Sequence, residues 1–386
     1  MEDQVIYLDN AATTYPKPSG ILHKMVEFYS QIGVSPGRGG YDLATEAQEF
    51  IQQTRSKLAR FFNAPDPNRI IFTSNATDGL NLAIFGLLHP GDHVISTRLE
   101  HNSVLRPLYH LKQQKIIDYT LIPFNHQGFV DPNDIARAIR PETKLVIVNH
   151  ASNVIGTLQP VEEIGTLCQV AGVAFLVDAS QSAGQVVVDM GAMKASAVAF
   201  TGHKSLYGPS GIGGLALHPD LDIHTTRFGG TGIESKSLVH TQDFPHRLEA
   251  GTHNLMGIMG LSLGIDYLLD IGIGTIHRQE MALMQRLCNG LSRIKGVTLY
   301  CAENMADHLA VLSLNISGIA PEDAGAILDG DFNIAVRTGL HCAPLVHESL
   351  GTGSTGAVRF SLGHFNTQAD IDRVIGAVSK ILAHHQ

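Results

Sequence analysis

The chain has 386 residues, of which 44% are hydrophobic and 16% charged, and its formal net charge is −9. This length predicts two structural units, and the acidic balance with scattered Lys and Arg argues against a nucleic-acid-binding surface. No apolar stretch is long enough to span a bilayer and the N-terminal segment is not a secretory signal, so we expect no membrane association and a cytoplasmic protein. Four cysteines without zinc spacing predict neither disulfides nor a metal site.

The first seventy residues predict helices around an irregular stretch. Residues 1–20 indicate a short extended segment and a loop, and ILHKMVEFYSQ predicts a helix. The segment GVSPGRGGYD is irregular because it is rich in glycine. Apolar residues at helical spacing then predict a long helix near Ala44 to Phe62.

Short apolar runs alternate with helical stretches from Arg69 onward, which predicts a largely parallel sheet covered on both faces. The strands are predicted in RIIFTS, HVISTR, KIIDYTLIPF, KLVIVNHAS, AFLVDAS, AVAFTGHK and GIGGLALH. From Leu255 a helical run predicts a link to a small α+β unit. Its strands are predicted in VTLY, LAVLSLNI, IAVRTG and AVRFSLG, with helices in PEDAGAILDG and QADIDRVIGAVSKILAHH.

Lys204 and Asp178 are the first chemically informative pair. Lys204 lies in the glycine-rich loop TGHKSLYGPSGIGG, and Asp178 ends the apolar strand AFLVDAS, at the edge where parallel sheets bind ligands. Enzymes that use pyridoxal phosphate (PLP) need a lysine for a Schiff base and an acid for the pyridine nitrogen. The alternatives are a solvated loop lysine and a helix-capping aspartate.

Three further segments carry candidate residues. In FTSNATDGLN a strand runs into a helix start, so Asn75, Ala76 and Thr77 could hold a phosphate, or the segment could simply cap the helix. His101 follows a strand and could stack on a ring or move protons, although a lone histidine is more often structural. The loop RTGLHCAP places Cys342 near Arg337 and His341, and cationic neighbours favour a thiolate.

Arg359 and the remaining cysteines complete the candidates. Arg359 lies on a predicted strand and could bind a carboxylate through two hydrogen bonds, or it could be a surface arginine. Cys168 and Cys288 fall inside amphipathic helices, and Cys301 lies beside a strand, so we interpret these three as structural.

Six segments in order along the chain resemble the class V aminotransferase-like PLP enzymes, and among them the cysteine desulfurase and selenocysteine lyase family. They are YLDNAATT, HASNVIGT, VDASQSAG, TGHKSLYGPSGIG, AGTHN and RTGLHCAP. The resemblance implies the PLP-dependent transferase fold type I, an α/β fold with a mostly parallel seven-stranded sheet in a large domain. That domain is expected over residues 16–255, and a small α+β domain over residues 1–15 and 256–386. The short RTGLHC loop resembles the group II branch.

The resemblance also implies a role for each matching residue. Lys204 would form the Schiff base, Asp178 would pair with the pyridine nitrogen and His101 would stack on the ring and take part in catalysis. Other cofactor contacts are implied for Gln181, Asn153, Ala76, Thr77, Thr201, His203 and, across a dimer interface, Thr252. Substrate contacts are implied for Arg359, Asn153, Asn10 and Ala11, and Cys342 would accept the sulfur of L-cysteine as a persulfide, leaving alanine.

The chain departs from the family pattern in places that affect partners and substrate choice rather than the core chemistry. Asn102 stands where better-known members carry a second His, His253 stands where proline is common, and GRGGYD resembles a less-studied subgroup. The expected partners are L-cysteine, a second copy of the chain and a sulfur-acceptor protein. The alternatives are a selenocysteine lyase, a β-lyase for cysteine conjugates or sulfoxides, and a non-catalytic sulfur-carrier scaffold.

Overall fold

A seven-stranded sheet forms the centre of the larger unit in the computed structural model, which describes residues 5–37, 39–233 and 236–384. Its strands are β2 (Ile70–Thr73), β3 (His93–Thr97), β4 (Asp118–Ile122), β5 (Thr143–Asn149), β6 (Ala174–Asp178), β7 (Ala197–Thr201) and β8 (Gly213–Leu217). They lie in the order β2-β8-β7-β6-β5-β3-β4. Only β8 runs antiparallel to its neighbours β2 and β7, so the mostly parallel seven-stranded sheet is confirmed.

Both faces of this sheet are buried. Successive side chains of each strand point to opposite faces, and each face contributes to a separate hydrophobic core. Val146 and Val148 of β5 join one hydrophobic core, whereas Leu145 and Ile147 join the core on the other face. Helices cover both faces. They are α1 (Ile21–Ile32), α2 (Asp42–Phe61), α3 (Ala76–Leu87), α4 (Asn102–Gln113), α5 (Pro132–Ala138), α6 (Val161–Ala171) and α7 (Leu255–Ile271).

A second hydrophobic core surrounds a smaller, four-stranded sheet. The sheet has the order β12-β13-β10-β9, and a separate two-stranded sheet pairs β1 with β11. The strands are β1 (Ile6–Tyr7), β9 (Val297–Tyr300), β10 (Val311–Ile316), β11 (Ile334–Ala335), β12 (Arg337–Gly339) and β13 (Ala357–Ser361). The helices of this part are α8 (Ile273–Leu291), α9 (Pro321–Phe332), α10 (Pro344–Ser349) and α11 (Gln368–His384).

The two cores meet between α7 and α8. Side chains of α7, and Ile276 in the first turn of α8, belong to the core of the large sheet, whereas the later residues of α8, from Leu283 to Leu291, belong to the second core. The domain boundary between residues 255 and 256 stays a prediction. Within the described ranges no single helix is long and apolar enough to cross a bilayer, while α7 and α8 would be so only as a pair bent by 78°.

A buried ion cluster fixes the segment that contains Thr252. Arg55 Nη1 donates to Glu249 Oε1 at 2.8 Å, and the second carboxylate oxygen lies 2.7 Å from His253 Nε2. Burial alone would raise the pKa of Glu249, but Arg55 and then His253 outweigh it and hold the pKa at about 2. The AGTHN motif is therefore anchored to the large core by charge.

Glu249→Gln is expected to lower the free energy of unfolding by about 3–5 kcal/mol, because it leaves the guanidinium of Arg55 buried without a counter-charge. The ion cluster stabilises the wild type above the ordinary pKa of 4.5, and this stabilisation is lost as the pH falls toward 2. Urea unfolding at a fixed protein concentration, at neutral and acidic pH, measures both effects. The exposed Glu46→Gln is the control, and equal losses in both variants would contradict the prediction.

Candidate active site

The candidate residues meet at the carboxyl ends of the strands of the large sheet. His101 follows β3, Asn153 follows β5, Asp178 ends β6 and Lys204 follows β7. Because parallel strands end at one edge, these four side chains share a cavity of about 220 Å³. Ala76 and Thr77, the first two residues of α3, lie at the same edge, and so do Ala11, Gln181, Thr201, His203 and Arg359.

Three predicted site residues do not line this cavity. Asn10 turns its side chain away and donates to the carbonyl of Ser361 at 3.1 Å. Thr252 is exposed and borders a separate recess with Ser35 and Gln48. Cys342 lines a neighbouring groove instead. The roles inferred for all the site residues stay predictions, and Arg38 of the GRGGYD segment lies outside the described residues.

The groove beside Cys342 adjoins the inner cavity. It measures about 430 Å³ and runs between α3 and α4, past Phe85 and Arg106. Thr77, His101 and Ser103 line both spaces. Cys342 therefore stands at the border between an inner cavity and an open groove.

Asp9, to which the sequence analysis assigned no role, binds the side chain of Arg359. Arg359 is 1% exposed, and its Nη2 donates to Asp9 Oδ1 at 2.6 Å while Nη1 donates to the carbonyl of Asn153 at 3.0 Å. Burial, opposed by Asp9, lowers the pKa of Arg359. These bonds fix the guanidinium at the cavity wall before any ligand arrives.

Arg337 is a second cavity arginine, which the sequence suggested only as a neighbour of Cys342. It faces Arg359 directly across β12 and β13, and its Nη2 lies 3.5 Å from Cys342 Sγ. Like charges opposite one another are unfavourable, so the space between them suits an anion. A thiolate or a substrate carboxylate would both satisfy this charge.

Burial lowers the pKa values of both Lys204 and His101. Burial lowers the pKa of Lys204 to about 8, helped by Arg359 and Arg337 and opposed by Asp178. Burial, and after it Lys204, lowers the pKa of His101 to about 4, so its ring is neutral. The backbone N–H of Ser103 donates to His101 Nδ1 at 3.0 Å, which leaves the proton on Nε2.

Backbone packing explains the glycine-rich loop that the sequence placed near the site. Gly213 begins β8, where an added Cβ would lie 2.7 Å from the carbonyl carbon of Asn75 and 2.8 Å from the carbonyl of Phe200. Only glycine lets β8 approach the start of α3 so closely. The side chain of Asn75 caps that helix by accepting from Asp78 N, so capping and cavity formation coexist at one position.

No group of three or more His, Cys, Asp or Glu side chains arranged to hold a metal ion occurs in the part of the chain that the structure covers. The four cysteines are unpaired, and Cys168 and Cys288 are buried. Burial raises the pKa of Cys168 to about 12, which is typical of an unreactive core thiol.

Comparison with known proteins identifies this arrangement. The family model for class V aminotransferases matches residues 6–374. The chain therefore belongs to the class V aminotransferase family, as its six sequence segments indicated.

Within that family the similar proteins are cysteine desulfurases. A probable cysteine desulfurase of Methanothermobacter thermautotrophicus is 36% identical, over 95% of this chain and 92% of its own length. A cysteine desulfurase of Yersinia pseudotuberculosis is 34% identical, over 98% and 93%. The apo structure of the cysteine desulfurase from Thermococcus onnurineus superposes with a TM-score of 0.93 at 35% identity, covering 98% of this chain and 95% of that one.

Proposed function

We propose that the protein is a PLP-dependent cysteine desulfurase that converts L-cysteine to L-alanine and holds the sulfur on Cys342 as a persulfide. The observation that carries this proposal is the arrangement of Cys342 at the border of a cavity lined by Lys204, Asp178 and Arg359. The similarity to cysteine desulfurases over nearly the whole chain supports it.

The polar atoms of the cavity fit PLP. Thr201 Oγ1 and Asn153 Oδ1 are buried and hydrogen bond to no described residue, which leaves them free for a ligand. Ala76 and Thr77 present unpaired helix N–H groups that suit a phosphate. Asp178 Oδ1 accepts from Ser180 N at 2.9 Å, which holds this carboxylate in place for a protonated pyridine nitrogen.

PLP would be held by Lys204, Asp178, His101, Gln181 and the start of α3, and when bound it supplies an aldehyde for amines and a ring that delocalises negative charge. Gln181 is itself oriented by donating to the carbonyl of Ala11 at 3.0 Å. The neutral ring of His101 can stack on an aromatic face without competing for protons.

The residues of the chain divide the reaction between them. Arg359 binds the carboxylate of L-cysteine, and Lys204, which exchanges protons readily because its pKa is about 8, removes the α-proton. The Cys342 thiolate bonds to the substrate sulfur as the carbon–sulfur bond breaks. The β-carbon keeps that electron pair and takes a proton, and Lys204 returns a proton to the α-carbon, so one thiol and L-cysteine become one persulfide and L-alanine.

We propose that a thiol acceptor, such as an acceptor protein, collects the sulfur from the outer groove. Cys342 lines this open groove, so the persulfide can be reached without entering the inner cavity. A homodimer and a cytoplasmic location belong to the same proposal. Thr252 lies outside the cavity of its own chain, and Phe228, Leu238 and Val239 are exposed nearby. A solution mass of one chain under turnover conditions would refute the dimer.

Mass spectrometry after incubation with L-cysteine tests the proposed function. We expect the peptide that contains Cys342 to gain the mass of one sulfur atom, and reduction with a thiol to remove it. Peptides containing Cys168, Cys288 and Cys301 are internal controls and should stay unchanged. Alanine production without a sulfur gain on Cys342 would favour a lyase that releases the leaving group directly.

A further inference from the structure

Behind Cys342 lies a row of three buried polar side chains that the proposed chemistry does not use. His341 Nδ1 lies 3.1 Å from His347 Nε2, and His347 Nδ1 lies 2.9 Å from Thr352 Oγ1. His341 is 2% exposed, His347 0% and Thr352 5%, so water does not satisfy these groups. They form one hydrogen-bonded chain of side chains from Thr352, three residues after the end of α10, to His341, the residue before Cys342.

The carbonyl of Arg337 decides which nitrogen carries each proton. It lies 3.4 Å from His341 Nε2 and can only accept, so this nitrogen donates. Burial lowers the pKa of His341 to about 2 and that of His347 to about 4, so each neutral ring carries one N–H. His341 Nδ1 therefore accepts from His347 Nε2. His347 Nδ1 accepts from the hydroxyl of Thr352, which lies 2.9 Å from this nitrogen and farther, at 3.3 Å, from its other acceptor, the carbonyl of His347. Every bond in the chain points the same way.

These hydrogen-bonded side chains end at a strained part of the backbone, formed by His341 and Cys342. His341 and Cys342 have φ angles of 50° and 57°, a left-handed conformation that is unfavourable for residues other than glycine. Asn153 Nδ2 donates to the carbonyl of His341 at 2.8 Å, and Asn102 N donates to that of Cys342 at 2.8 Å. The ring of His341 is the third anchor, and together they leave Cys342 Sγ beside Arg337.

We propose that Thr352 and His347 are positioning residues, which hold Cys342 through the His341 ring in the orientation that takes and delivers sulfur. The inference rests on the proposed function, since it assigns these residues to the sulfur-accepting step. Thr352 is the last of the three hydrogen-bonded side chains and supplies the only hydroxyl among them. Loss of this hydroxyl leaves His347 Nδ1 buried without a hydrogen-bond donor. The imidazole ring of His347 is then no longer held in its orientation.

Thr352→Val tests this proposal because it keeps the shape of the side chain and removes the hydroxyl. We expect kcat for alanine formation to fall about 10-fold, because His347 Nδ1 loses its hydrogen-bond donor in a buried place, while KM for L-cysteine stays within about twofold. The rate at which iodoacetamide alkylates Cys342, followed by mass spectrometry on its peptide, should fall by a similar factor. Thr352→Ser, which restores the hydroxyl, should restore both rates.

Matched variants separate positioning from a general loss of structure. Thr355→Val changes an exposed threonine three residues away and should leave both rates unchanged. Wild-type rates in Thr352→Val, or a serine variant that does not recover them, would overturn the proposal. If the valine variant does not fold, His347→Phe is the second variant, and unchanged alkylation there also overturns it.

Alkylation needs neither turnover nor cofactor, so the two proposals can fail separately. If Cys342 gains no sulfur but its alkylation rate depends on Thr352, the desulfurase proposal is refuted, and with it the role of Thr352 and His347 in sulfur transfer. Their effect on the position of Cys342 would still stand. If Cys342 gains sulfur but its alkylation rate does not change in Thr352→Val, only the proposal that Thr352 and His347 position Cys342 is refuted.

Discussion

Lys204→Ala is expected to abolish the visible absorbance of a cofactor–lysine Schiff base and to lower alanine production by about 10²–10⁴-fold, the usual range for a positioned proton-transfer group. Lys204 lines the cavity with Asp178, and its pKa of about 8 makes it a base near neutral pH. Absorbance spectra of the purified protein and single-turnover alanine assays measure the two effects.

A matched lysine variant makes the result specific. Lys144→Ala changes an exposed lysine on β5 and should leave the spectrum and the rate at wild-type values. A Schiff-base band that survives in Lys204→Ala would remove Lys204 from its role. The loss of the band with full retention of activity would show that another base takes the α-proton.

Cys342→Ala is expected to lower the release of alanine from L-cysteine by about 10²-fold or more, within the range of a positioned catalytic group. The Schiff-base absorbance should remain, because Cys342 lines the outer groove and not the cavity that fits the cofactor. The variant thus separates cofactor binding from sulfur transfer. Steady-state alanine assays together with absorbance spectra check both parts.

Cys301→Ala is the matched control, since Cys301 is also partly exposed but packs against the second core. It should retain the wild-type rate. Undiminished alanine release from L-cysteine by Cys342→Ala would rule out the persulfide step. Loss of the absorbance band in this variant would instead mean that Cys342 supports the cofactor site.

The elements of the fold were largely predictable because their signals are local. The alternation of apolar runs and helical stretches from Arg69 onward identified the strands of the large sheet and the crossover helices. The start of α3 was expected near Asn75, where the cap is found. The short helix over Pro344–Ser349 was not predicted, because six residues are too few to show the spacing of apolar residues that is typical of a helix.

Chemistry-bearing residues were predictable where a motif names them, as for Lys204, Asp178 and His101, all of which line one cavity. Their partners were not. Asp9 and Arg359 are 350 positions apart, and Arg337 meets Arg359 only because β12 and β13 pair in one register. Nothing in the local sequence of either residue encodes that contact.

By itself the sequence determined the α/β class, the order of elements, the family and the residue types at the site, because periodicity, capping and motif order are properties of neighbouring residues. The tertiary structure alone decided that Cys342 borders an outer groove and that two arginines face each other. It also decided that the hydrogen-bonded side chains of Thr352, His347 and His341 end at the carbonyl of Arg337. These facts depend on how separate elements pack, and burial then sets the protonation of the groups that packing brings together.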